Sequence, residues 1–250
     1  MSTPPTIILL HDAFHQAAHY IDFDAALQAV GLSEVRIPQL PSCARSRPAD
    51  DHAFDDDVQV ARKMVLSCLR SGRDVMVLAH GYGGKVVAEA LGGVPVERQR
   101  EHVRVLGVVF VAGMVCEEGE SGEGEEEERS FVKSEGSTLT VTDPTTFLFN
   151  TLADEAVLEK AVAQLVPFAR AAHIAPVKTA GWSHYPCAYV QCLQDQASPI
   201  TSQTRYIAKL QKQCGWAPAV AKLDCDHNPF LSKPEKLAEL VKSLVDDALE

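Results

Sequence analysis

An apolar run, VMVLAH, leads at residues 75–80 into Gly81, Tyr82, Gly83 and Gly84 and then into KVV, so a turn of small residues joins a strand to a helix. A turn of this layout suits a nucleophile held on a strained backbone of positive φ, with small side chains two positions away on either side, here Ala79 and Gly83. Position 81 is glycine, which adopts that backbone without a Cβ penalty. It brings no hydroxyl or thiol. The segment therefore has the backbone of a covalent site without its nucleophile.

Other groups could do chemistry. His11, Asp12 and His15 combine a His-x-x-x-His spacing with a carboxylate, a set that can bind zinc. The spacing aligns such ligands on a helix, whereas these residues fall in a loop after a strand, so no metal is assigned. Ser42 and Cys43 could supply a displaced nucleophile and rank low. His80, beside the turn, is read as a packing or hydrogen-bonded residue. Seven cysteines are scattered without a CxxC pair and read as reduced, buried thiols.

Positioning these groups falls to alternating elements. Strand-like runs at 6–10, 34–40, 74–79, 103–111, 187–193 and 219–223 alternate with amphipathic stretches at 18–30, 55–71, after Gly83, 201–213 and 234–248. That rhythm predicts an α/β fold with a doubly wound, mostly parallel sheet. Residues 1–113 and 187–250 are assigned to the core and 114–186 to a cap insertion. The insertion opens on a Glu-rich loop at 117–128, too charged to pack. From 143 to about 180 it turns helical, and it is expected to cover the carboxyl edge of the sheet. Trp182, Phe147, Phe149, Phe168 and Tyr185 in it are read as packing residues, some of which could line an apolar pocket.

The 250 residues suffice for one such domain. The net charge of −11 argues against nucleic acid and anionic membrane as partners. Eight glutamates at 117–128 account for most of it, and without them the charge is −3. The first residues lack the pattern of a secretory signal, and no apolar run approaches the roughly 20 residues of a membrane span, so the expected location is cytoplasmic. A homodimer stays open.

Four segments together resemble the α/β-hydrolase superfamily, in particular the small capped branch of plant methylesterases, hydroxynitrile lyases and microbial homologues. They are Leu9 to His15 (LLHDAFH), Ala79 to Gly84 (AHGYGG), Ala188 to Gln196 (AYVQCLQDQ) and Cys225 to Phe230 (CDHNPF). The resemblance implies that Asp195 is the triad acid and His227 the triad base, with Asp226 a competitor for the acid's place. It also implies an oxyanion hole of backbone N–H groups, from Tyr82 and from the loop at Ala13 and Phe14. Where the family has serine, this chain has Gly81.

Loss of that serine removes covalent acyl transfer, at a cost on the order of a million in turnover for a serine hydrolase. The expected chemistry is non-covalent acid–base catalysis of the lyase, aldolase, cyclase or isomerase type. His227 would be the base, the room vacated at position 81 would hold substrate or water, and no cofactor is called for. The substrate would be a small, largely apolar carbonyl compound of the secondary-metabolite kind. Two alternatives are a carboxylesterase or lactonase whose serine was mutated to Gly81, and a non-catalytic small-ligand receptor.

Overall fold

In three runs, Thr6–Leu10 (β1), Val75–His80 (β3) and Val105–Val111 (β4), every residue is buried, as in strands covered on both faces. The protein is described here from a computed structural model, over residues 4–43, 53–94, 103–121, 131–213 and 217–249. With Val35–Arg36 (β2), Cys187–Cys192 (β8) and Ala219–Leu223 (β9), these runs form a six-stranded sheet of order β2-β1-β3-β4-β8-β9. All five pairings are parallel.

Alternation along each strand sends side chains to two cores. Ile8, Leu10, Val77, Ala79, Val108 and Phe110 pack beneath helices Ala53–Arg70 (α2), Gly83–Gly92 (α3) and Ile200–Gln213 (α5). Ile7, Leu9, Met76, Leu78 and Val109 pack beneath Ile21–Ala29 (α1) and Pro234–Leu249 (α6). The sheet is thus doubly wound and mostly parallel, as the periodicity predicts.

Chain order sets where a site can form. From β1 the chain runs outward to β2 and then returns to β3 on the other side of β1, so the carboxyl ends of β1 and β3 flank a topological switch point. Their register, with Leu10 opposite Ala79, brings the loop at residues 11–15 beside the turn at Gly81.

Two local expectations differ. The strand expected over 34–40 shrinks to Val35–Arg36, because Pro38 has no N–H for the ladder at this edge. In the insertion, Val132–Glu135 (β5), Thr138–Val141 (β6) and Phe168–Ala169 (β7) form an antiparallel sheet. Gly136, at φ +64°, makes the two-residue turn between the first two. The helix Glu155–Gln164 (α4) lies between β6 and β7. Residues 122–130, most of the Glu-rich loop, lie outside the described residues, as does Cys214. The other six cysteines are free and buried. Among the described residues no helix is long and apolar enough to cross a membrane.

Candidate active site

The turn after β3 has the geometry its composition requires. Gly81 sits at φ +46°, and a Cβ on Gly83 would meet the Leu10 carbonyl oxygen at 2.2 Å, so β1 and the elbow approach as closely as glycine permits. The space above Gly81 is not vacant. A Cβ there would lie 1.9 Å from Oδ1 of Asp12 and 2.2 Å from its Cγ. The expectation that this room holds substrate or water is therefore corrected: the carboxylate of Asp12, reaching over from the end of β1, fills it.

Two bonds hold the Asp12 carboxylate and a third holds its N–H. The Tyr82 N–H donates to Oδ1 at 2.6 Å, His227 Nε2 lies 3.0 Å from Oδ2, and the Asp12 N–H donates to the Tyr20 hydroxyl at 3.2 Å. Tyr82 N–H, expected as an oxyanion donor, is thus engaged by a side chain of the protein itself. Ala13 and Phe14 line the same cavity, and Phe14 stands at φ +66°.

His227, after β9, lies between two carboxylates. Its Nδ1 donates to Asp195 Oδ2 at 2.8 Å, opposite the bond to Asp12. Asp195, after β8, is oriented in turn by the N–H groups of Ala197 and Ser198, both 2.8 Å from Oδ1, and by Gln203 of α5. Asp226 does not compete for His227. Its oxygens accept from Asn228 N–H, the Ser232 hydroxyl and Thr151 N–H, fastening this loop to the insertion.

Burial by itself disfavours a charged imidazole, but the two carboxylates outweigh it and push His227 up to about 10. Burial likewise opposes the charge on Asp12, yet the bond and charge of His227 hold that carboxyl well below its usual range. The resting site is therefore an ionised Asp12 against an imidazolium. The sequence analysis expects His227 as a base, and these surroundings favour its protonated form.

His80 supports this pair. Its Nε2 donates to the His227 carbonyl at 2.9 Å, which leaves Nδ1 to accept from the Tyr20 hydroxyl at 2.8 Å. Burial keeps it neutral, far below its ordinary value. Asp12, His80 and His227 converge within metal-binding distance, but both ring nitrogens of His80 are spent on these bonds, and the set is poorly suited to a cation. His11 and His15 do not join Asp12 as ligands. His11 bonds the Asp12 carbonyl and the Leu40 N–H, and His15 Nδ1 bonds the Ala13 carbonyl. Burial lowers each to about 4.

Ser42 and Cys43 lie behind the elbow and outside the cavity lining. The Ser42 N–H donates to Asp57, whose other oxygen accepts from the Tyr82 hydroxyl at 2.8 Å. Burial pushes the Cys43 thiol up, away from reactivity. Phe131, Leu148, Met114, Ala112, Ala197 and Ser198 line the cavity over Asp12 and His227 and leave about 20 Å³, room for about one water, so any larger ligand must displace these side chains. Of the aromatics expected at the cap, Phe168 packs on Phe14 and Tyr82, Phe147 stacks on Phe131, Phe149 lies against His15, and the Trp182 indole donates to the Cys116 carbonyl. Tyr185 is buried in the core.

Residues 7–240 match the Alpha/beta hydrolase family. The chain belongs to that family. It is 28% identical to "Probable hydrolase R7" of Phoma sp., across 97% of this chain and 98% of that one. It is 25% identical to "Alpha/beta hydrolase nvfD" of Aspergillus novofumigatus, across 98% of each. Among solved structures, tomato Methylketone Synthase I complexed with 2-tridecanone superposes with a TM-score of 0.74 at 16% identity, over 99% of this chain and all of that one. This α/β hydrolase has a His227–Asp195 pair of triad type, and Asp12, which the sequence analysis does not place there, bonds His227 from the other side. The sequence offers only a partial signal, a glycine in a tight turn and an acidic residue two positions after a neighbouring strand; the register of β1 against β3 brings them together.

Proposed function

We propose that this α/β hydrolase acts without an acyl-enzyme, by proton transfer between the Asp12–His227 pair and a small, largely apolar carbonyl compound of the secondary-metabolite kind. One observation carries the reading: the Asp12 carboxylate occupies the space above Gly81 and is bonded to both Tyr82 N–H and His227 Nε2. Asp12 is the base and His227 the acid, with Asp195 stabilising the imidazolium and fixing its orientation. Such a pair serves reactions that move a proton from one site to another without adding water, namely lyase, aldolase, cyclase or isomerase steps. The apolar lining excludes bulk solvent and strengthens the field of both charges. Curated relatives named as hydrolases support an enzyme, and the ketone held by the tomato neighbour supports a carbonyl ligand in this fold.

A panel of ketones and β-hydroxy ketones in deuterated water tests this. Wild type should catalyse exchange or cleavage that His227→Ala and Asp12→Asn each reduce by about a hundredfold or more, with no mass adduct on the protein. Full activity in His227→Ala, or a covalent intermediate, would sink the reading.

A further inference from the structure

In a serine hydrolase of this fold the N–H after the nucleophile offers a hydrogen to a substrate oxygen. Here that N–H is spent on Asp12 Oδ1, and what faces the cavity at the same place is a carboxylate whose side chain is 11% exposed. The hydrogens of His227 are also committed, one to Asp195 and one to Asp12. The described lining otherwise contains no cationic side chain; of its two hydroxyls, that of Tyr82 donates to Asp57 and the other is that of Ser198. An acyl or carboxylate oxygen placed against Asp12 would meet lone pairs, a contact that costs free energy in a site largely shielded from water.

Resting on the acid–base reading above, we infer that the position next to Gly81 is inverted from a hydrogen-bond donor site to an acceptor site, and that the substrate presents a hydroxyl to Asp12. With a carbonyl in the β position, such a substrate suits cleavage by a base at its hydroxyl and an acid beside it. As His227 gives up its Nε2 proton, the charge that suppresses the basicity of Asp12 is lost; Asp12 takes the hydroxyl proton, and the electron pair of that O–H bond forms the new C=O. The bond between the α and β carbons breaks, its pair passing to the enolate, and the enolate takes the Nε2 proton of His227. The proton on Asp12 then returns to His227. Atoms and charge balance without added water, oxidant or cofactor, and the reverse sequence is an aldol addition.

Binding of 2-hexanol, 2-hexanone and hexanoate, followed by NMR titration of the His227 ring protons near neutral pH, separates the possibilities. Wild type should bind 2-hexanol at least about tenfold more tightly than hexanoate, a difference of about 1.4 kcal/mol. In Asp12→Ala the Tyr82 N–H is released and the order should reverse. Asp12→Asn, which keeps the side-chain volume, should lose most of the alcohol preference if Asp12→Ala does not fold. Hexanoate or 2-hexanone binding wild type as tightly as the alcohol, an unchanged order in the variants, or binding of none of the three would overturn the inference. These arms measure affinity. Exchange that depends on His227, combined with tighter ketone binding, would leave the acid–base reading standing and remove this one alone.

Discussion

Asp12 and Gly81 are complementary: the carboxylate lies where a side chain on residue 81 would begin, with Oδ1 1.9 Å from the position of a Cβ. Neither residue can be changed without consequence for the other.

Gly81→Ser, the substitution that would restore a serine hydrolase by sequence, is therefore expected to fail alone. Its Cβ displaces Asp12 at a cost of about 1–3 kcal/mol, seen as a lower midpoint in thermal unfolding, and aryl-ester hydrolysis stays at background. The double variant Gly81→Ser with Asp12→Gly removes the clash and should regain both stability and measurable esterase activity. Strong hydrolysis by the single variant would contradict the packing described.

Stability at alkaline pH should report the imidazolium. His227 is raised from 6.5 to about 10, so its contribution is whole below pH 6.5, declines as pH rises, and is lost above about 10. In urea unfolding wild type should weaken steadily over that window. Asp12→Asn, with one carboxylate fewer, should show a shorter and shallower decline. Identical slopes would mean that Asp12 does not hold the proton on His227.

Asp57 titrates from behind the elbow. Burial pushes its carboxyl from 3.8 up to about 6, so the folded state favours the protonated form; this contribution is whole below pH 3.8 and lost as pH rises through 6. Asp57→Asn should abolish that part of the pH dependence between 4 and 6. Tyr82→Phe, which removes the hydroxyl donated to Asp57, should raise the midpoint further. A midpoint that does not move in Tyr82→Phe would argue against this bond.

Asp195→Asn should leave the fold intact, because the side-chain oxygen can still accept from Ala197 and Ser198. It should lower turnover by on the order of a hundredfold or more by withdrawing the charge that stabilises the imidazolium. His227 titration moving toward its ordinary value in NMR is the accompanying sign.

Much of this was legible from residue order. Apolar runs such as VLGVVFV can only be strands buried on both faces, and AHGYGG can only be a turn where backbones touch, because those properties follow from neighbours within a few positions. The small sheet at 132–141 was readable in principle from its β-branched residues around Gly136, but the surrounding helical composition masked it. Asp12 as a member of the site was not readable in the same way. Its role depends on the register of β1 against β3, which sets Leu10 beside Ala79 and thereby brings a carboxylate to a backbone N–H 70 residues away. Likewise, residue order marks His227 as a base, whereas its charge depends on two carboxylates converging on it from 32 and 215 residues away. Local chemistry determined the tight turn and the glycine within it. Only the folded chain decided what fills the space above Gly81 and how it is charged, because the strength of an ion pair is a property of distance and burial, and sequence separation contains neither.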